Sequence, residues 1–375
     1  MLKLVVQNSN LMKKILIVIG TRPNFIKVTQ FKKIAQQFSN LDIKLVHTGQ
    51  HFDEKMADVF FKQFHLEPDF FLNILPASPN SQMAEIMIKL ENLIKLNYQP
   101  DLIIVVGDVN STLAAAITAN KLGIKLAHLE SGLRSFDKSM PEEFNRILTD
   151  KLSQFFFVTE PSGLKHLIEE GVPKESIYFV GNTMIDTLVA FQTEIEKSPI
   201  IDDLNLLDKP FVLMTMHRPA TVDTKNGLEK LINLIQDITK QYNIVFPIHP
   251  RTLKKIEEFG FKNQISDNKN LKLTEPLDYF AFQKLIKYSK FILTDSGGIQ
   301  EESTFVKVPC LTLRPNTERP VTVTEGSNTL VPFDISVIKQ LIKKIENNAY
   351  KVGAIPKLWD GKSTDRILNI ISKTL

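Results

Sequence analysis

The feature that most constrains this chain is an alternation of two kinds of segment, repeated in both halves. Short runs rich in β-branched and aromatic residues are each followed by a longer stretch of helical period. In the first half the runs predict strands over 14–19, 43–46, 102–106, 125–129 and 155–158. In the second half they predict strands over 211–215, 244–246, 271–273, 291–293 and 310–313. The clearest intervening helix is 81–96, where Met83, Ile86, Met87, Leu90, Leu93 and Ile94 share one face. Others fall near 226–240, 278–289 and 299–306. Strands joined by helices run parallel, because the crossover brings each strand back to the same end of the sheet. Two such series of similar length predict an α/β protein with two Rossmann-like parallel-sheet domains facing across a cleft. The expected division is 12–183 and 184–355, with 1–11 as an N-terminal extension and 356–375 as a final helix packing back on the first domain.

Composition removes several alternatives. A 375-residue chain with 43% hydrophobic residues buries a large core, so it is not disordered. One cysteine, Cys310, excludes a disulfide scaffold, and its place in an apolar strand marks it as a core thiol rather than a nucleophile. The balance of 46 basic against 42 acidic residues gives +4, with no dense basic block, which argues against a nucleic-acid partner. The apolar runs fall far short of the ~20 residues of a membrane span. The polar start lacks the pattern of a signal peptide, so a cytoplasmic protein is expected. The seven histidines are scattered, which leaves no metal site in view. Neither G-x-G-x-x-G after the first strand nor G-x-x-x-x-G-K-[ST] is present, which argues against a bound dinucleotide and a P-loop.

Ligands of open parallel sheets bind beyond the carboxyl ends of the strands. Six predicted strand ends carry polar clusters that packing does not require: Gly20-Thr-Arg22, Gly107-Asp108, Glu130-Ser-Gly132, Met216-His217-Arg218, Pro247-Ile-His249 and Thr294-Asp-Ser296-Gly297-Gly298. Ser296, Gly297 and Gly298 open a helix and leave backbone N–H groups bare, an arrangement that holds phosphate. A plain N-cap by Ser296 explains the same residues. Arg319 in Thr317-Glu-Arg-Pro320, together with Arg22, tips the balance toward a diphosphate, and Glu302 suits a ribose. Asp108 and Glu130 end neighbouring strands. Glu142 opens a helix behind Pro141, where dipole compensation alone accounts for it. Three carboxylates with His217 around a diphosphate supply acid and base without a cofactor, and crowded acids would share a proton.

These segments, with Val180-Gly-Asn-Thr-Met-Ile-Asp186 and Pro141-Glu-Glu-Phe-Asn-Arg146, occur in an order that resembles the non-hydrolysing UDP-N-acetylglucosamine 2-epimerases from Met12 almost to the C-terminus. The resemblance implies a glycosyltransferase-B type fold and an isomerase that interconverts UDP-GlcNAc and UDP-ManNAc. UDP is eliminated to leave a glycal and is then re-added. No metal or nicotinamide cofactor is implied, and family members are commonly homodimers. Carried over by position, Asp108, Glu130, Glu142 and His217 are the catalytic groups. Arg22, Lys27, Phe282, Ser296, Gly297, Gly298, Glu302 and Arg319 bind the UDP-sugar. Leu277 stands where a Gln near uracil is common and leaves a backbone contact. Asn24 stands where an acid is common, and Pro219-Ala220 follow His217-Arg218 where Arg-Glu is usual. The Gln50-His51 to Met56 segment is longer than the family's activator motif, which puts activation by a second substrate molecule in doubt. Four readings stand at this point: the UDP-GlcNAc epimerase or an epimerase of a diacetamido or uronic-acid UDP-sugar, a hydrolysing relative releasing ManNAc, a glycosyltransferase, and a nucleotide-sugar binding protein without turnover.

Overall fold

The computed structural model describes residues 12–49, 61–75, 77–207 and 209–375. The expected extension 1–11 and the 50–56 segment lie outside the described residues. The chain forms two units. The first comprises the described residues up to Gly132, with Lys138–Thr187 and Gly361–Leu375, and the second comprises Leu133–Asp137 and Leu188–Asp360.

The first unit is built on seven parallel strands: β1 (Lys13–Ile19), β2 (Leu41–His47), β3 (Phe70–Phe71), β4 (Leu102–Val106), β5 (Lys125–Leu129), β6 (Phe155–Val158) and β7 (Ile177–Phe179). Their order is β3-β2-β1-β4-β5-β6-β7. All five residues of β4 are buried, as expected of a central strand covered on both faces. Ile86, Leu90 and the small side chains Ala114, Ala115 and Ala116 pack with Leu16, Val18, Ile103 and Val105. The helix Pro79–Leu96 starts two residues before the predicted one, because Ser78 Oγ accepts the Ser81 N–H and caps it. The last helix, Ser363–Thr374, belongs to this unit. Asp186 accepts the N–H groups of Ser363 and Thr364 at its start, at 3.0 and 2.6 Å, and Lys13 Nζ donates to Ser372 O near its end.

The second unit carries six parallel strands: β8 (Phe211–Thr215), β9 (Asn243–Pro247), β10 (Leu271–Thr274), β11 (Phe291–Thr294), β12 (Cys310–Thr312) and β13 (Asn328–Leu330). Their order, β10-β9-β8-β11-β12-β13, is that of a dinucleotide-binding Rossmann sheet. Val212, Met214, Ile244, Phe246, Phe291 and Leu293 form its core with the apolar face of the helix Lys225–Ile238. The ten expected strands are all present. β3, β7 and β13 are additional: at two or three residues each, they are too short for a periodic pattern to reveal.

Candidate active site

In each sheet the strand order reverses at one point, between β1 and β4 in the first unit and between β8 and β11 in the second. A crevice opens there, since the connections leave in opposite directions. Four of the six polar strand ends picked out from the sequence flank these two points, and the ends of β5 and β9, with Glu130 and His249, lie one strand away.

In the first unit, Asn24 crosses the reversal. Its Nδ2 donates to Val106 O at 3.1 Å, while its Oδ1 accepts from Thr21 Oγ1 at 3.0 Å. An acid at this position could not donate to the carbonyl, so the amide here joins the ends of β1 and β4. The tie sets Lys27 and Glu130 together. Lys27 Nζ lies 2.6 Å from Glu130 Oε2, with both side chains almost fully buried. Lys27, which the resemblance places at the diphosphate, is therefore the counter-ion of Glu130. The Glu130 backbone has φ +72°, a left-handed conformation costing a non-glycine residue about 1–2 kcal/mol. Strain of this kind is retained where it aims a side chain. Gly107 also has positive φ, and a Cβ there would lie 3.5 Å from Glu130 Oε2. That glycine brings the Asp108 turn against Glu130.

Asp108 has a different partner. Arg146 Nη2 donates to its Oδ2 at 2.5 Å and, through Nη1, to Glu143 Oε2 at 2.6 Å. Asn145 Nδ2 donates to Asp108 O at 2.9 Å. The Pro141-Glu-Glu-Phe-Asn-Arg segment thus grips the Asp108 turn from one face of the helix Pro141–Leu152. Glu142 is half-buried one residue away and makes no hydrogen bond or ion pair with the described residues. Beneath both turns lies the fully buried His128. Its Nδ1 is 2.6 Å from Asp150 Oδ1 and its Nε2 is 2.8 Å from Gly107 O, while Asp150 Oδ2 accepts the Gly132 N–H. Two buried cations thus stand among these acids, Lys27 beside Glu130 and Arg146 shared between Asp108 and Glu143. Arg22 opens the short helix Arg22–Ile26 and is half-buried.

In the second unit the bare helix start is present. The helix Gly298–Phe305 is entered through Gly297 without any side-chain cap, and Ser296 N–H donates instead to Thr294 Oγ1 at 2.9 Å. The N-cap explanation of Ser296 is thereby removed. Ser296, Gly297 and Gly298 are all part-exposed. A Cβ on Gly297 would meet Arg319 Nη1 at 3.1 Å, which places that guanidinium beside the helix start. Arg319 is held by two acids, with Nε 2.7 Å from Glu301 Oε2 and Nη1 on Glu318. Glu318 also accepts from Arg314 Nη2 at 3.0 Å. Gln300 Oε1 accepts from Thr317 Oγ1 at 2.7 Å and fastens the Thr317–Pro320 loop to the same helix. Glu302 is buried. Phe282 and Leu277 are half-buried and pack against the apolar cluster to which Ile299, in the first turn of that helix, belongs.

His217 follows β8, and its Nδ1 lies 2.9 Å from Asp295 Oδ1, with the ring 43% exposed. Burial opposes charge on Asp295, yet the His217 ring and the Arg218 and His217 N–H groups outweigh it and hold the carboxyl below its usual range. The His249 ring is 5.9 Å away. Burial first, then the neighbouring His217 and Arg251, lower His249, and its Nδ1 accepts the Arg251 N–H. Cys310 is fully buried, and burial pushes its thiol up to about 11, which keeps it protonated and inert. Among the described residues no three His, Cys, Asp or Glu side chains are grouped so as to hold a metal ion.

Residues 33–372 match the family model described as UDP-N-acetylglucosamine 2-epimerase. The chain belongs to this epimerase family. It is 40% identical over 368 residues to the UDP-N-acetylglucosamine 2-epimerase of Methanococcus maripaludis, covering 96% of this chain and 98% of the relative. It is 36% identical over 371 residues to the UDP-2,3-diacetamido-2,3-dideoxy-D-glucuronate 2-epimerase of Pseudomonas aeruginosa, covering 96% and 99%. The crystal structure of the Methanocaldococcus jannaschii UDP-GlcNAc 2-epimerase in complex with UDP-GlcNAc and UDP superposes with a TM-score of 0.86 at 38% identity, covering 96% of this chain and 99% of that one. Membership in the epimerase family makes the chain an isomerase with two parallel-sheet α/β domains. No helix among the described residues is long and apolar enough to cross a membrane.

Proposed function

We propose that this chain inverts C2 of UDP-GlcNAc to give UDP-ManNAc by eliminating and re-adding UDP. One observation carries the reading: an epimerase-family chain keeps two buried or half-buried carboxylates, Asp108 and Glu130, at the ends of the neighbouring strands β4 and β5, each paired with a buried cation. The C2 proton of this sugar has no neighbouring carbonyl to acidify it. Cleavage of the C1–O bond builds positive charge at C1, after which a carboxylate can take the C2 proton. The C2–H electrons then form the C1=C2 bond and UDP departs with the C1–O pair. Returning a proton to the opposite face and re-adding UDP inverts the centre. Asp108, Glu130 and Glu142 serve as the acid and base groups. Arg22, Arg319 and the N–H groups of Ser296–Gly298 stabilise the diphosphate as charge develops on it. Phe282 flanks uracil, Leu277 meets it through its backbone, Glu302 holds the ribose, Lys27 steadies Glu130 while facing the diphosphate, and His217 assists diphosphate departure.

A homodimer is the proposed assembly, supported by Ile88, Phe144 and Leu148, large apolar residues exposed on helices of the first unit. A cytoplasmic place in polysaccharide precursor synthesis follows from a soluble nucleotide-sugar substrate. The Pseudomonas aeruginosa relative favours a diacetamido uronate as the second reading. The test is product analysis by anion-exchange chromatography after incubation with each UDP-sugar. UDP-ManNAc formed from UDP-GlcNAc, and lost in Asp108→Asn, supports the proposal. Free ManNAc with UDP, or turnover of the diacetamido uronate alone, overturns it.

A further inference from the structure

Asp295 is fully buried at the end of β11, between that strand and the chain leaving β8. Its two oxygens are used differently. Oδ2 accepts the backbone N–H of His217 at 2.9 Å and of Arg218 at 2.8 Å, and the Asp295 N–H reaches back to Thr215 O at 3.2 Å. The main-chain tie between the two strand ends is complete with that one oxygen. Oδ1 faces the His217 ring, with Nδ1 2.9 Å away, and among the described residues no other donor reaches it. A buried carboxylate oxygen without a donor is unfavourable, so the ring is bound to present N–H at Nδ1. The tautomer of a histidine follows from the partner of one nitrogen and leaves the other for chemistry.

We propose that Asp295 is a positioning residue that fixes His217 as its Nδ1–H tautomer and leaves Nε2 as the atom offered to substrate. In the imidazolium form Nε2–H gives its proton to the departing diphosphate oxygen, which leaves the neutral Nδ1–H ring, and Nε2 recovers the proton on re-addition, so the cycle is proton-neutral. That use rests on the epimerase reading, whereas the tautomer does not. The same carboxylate orients the ring and anchors its backbone, so the imidazole is aimed before substrate arrives. Residues 294–296, whose serine opens the bare helix start, thus also aim the histidine.

The full-length protein, labelled with 15N-histidine, tests this through long-range 15N–1H spectra recorded where His217 is neutral, with its signals assigned by loss in His217→Gln. An Nδ1–H ring supports the proposal, and an Nε2–H ring overturns it without need of any variant that must fold. In Asp295→Asn the single oxygen stays with the two backbone N–H groups and the amide turns its NH2 toward Nδ1. His217 should then switch to Nε2–H, with kcat falling roughly 100-fold and KM nearly unchanged. Added to His217→Gln, the same substitution should cost less than about threefold, because both act through one ring. An unchanged tautomer, or losses that multiply in full, overturns the proposal. An Nδ1–H ring in a protein that does not turn over UDP-GlcNAc supports the positioning and refutes only the reaction.

Discussion

Replacing Lys27 with methionine removes the ammonium 2.6 Å from Glu130 Oε2 while keeping the length of the side chain. At an effective dielectric of about 20, two unit charges at that separation attract by roughly 6 kcal/mol, partly offset by the relief of no longer burying the ammonium. Removing one partner of a buried pair costs about 3–5 kcal/mol. The loss should therefore be about 3–5 kcal/mol. Adding Glu130→Gln should recover most of it at pH 7. Hydrogen exchange at the amides of β4 and β5 reads the first unit directly. A loss below about 1 kcal/mol, or a double variant less stable than Lys27→Met by the full cost of Glu130→Gln, would refute the view that Lys27 exists to neutralise Glu130.

Burial lowers His47 from 6.5 to about 4, so between those values the unfolded chain binds the extra proton and stability falls as pH drops, levelling below about 4. The contribution at pH 4.5 is about 2.5 kcal/mol, and His47→Gln should flatten urea-unfolding stability between pH 7 and 4.5 by that amount; an unchanged slope counts against it. Gln283 is buried on the helix Tyr279–Tyr288 with neither amide atom hydrogen-bonded among the described residues, so Gln283→Met should raise stability in urea by about 1–3 kcal/mol, and a loss would show that the amide is satisfied. Gly297→Ala keeps an ordinary helical φ of −73° but sets a methyl 2.8 Å from Glu318 Oε1, which must push the Arg319 pair aside. UDP affinity by calorimetry should weaken about tenfold with the fold intact, and unchanged affinity would separate Arg319 from the diphosphate.

What was legible in the sequence follows the range of each interaction. Strands such as β4 and β11 announce themselves by unbroken apolar runs, and their polar ends mark the switch points because a parallel sheet puts function there. The grip of Arg146 on Glu143 was also within reach, since three residues apart on a helix share a face. The pairing of Lys27 with Glu130 spans 103 positions, and that of Arg146 with Asp108 spans 38. No local pattern encodes such partners; only the β1-β4-β5 order brings them together. That is why the sequence showed the acids without the buried cations that stand beside them. Asp295 escaped notice for a related reason: inside Thr294-Asp-Ser-Gly-Gly it reads as turn chemistry until β8 is placed beside β11.

The central claim is that carboxylates exchange the C2 proton with solvent while UDP is off the sugar. Incubating the protein with UDP-GlcNAc in D2O and following C2 by proton NMR tests it most directly. The account predicts solvent deuterium at C2 in a manno product and its reappearance in the recovered UDP-GlcNAc, both abolished in the Glu130→Gln, Asp108→Asn double variant. A manno product that retains its original C2 proton, or full exchange in the double variant, would contradict it.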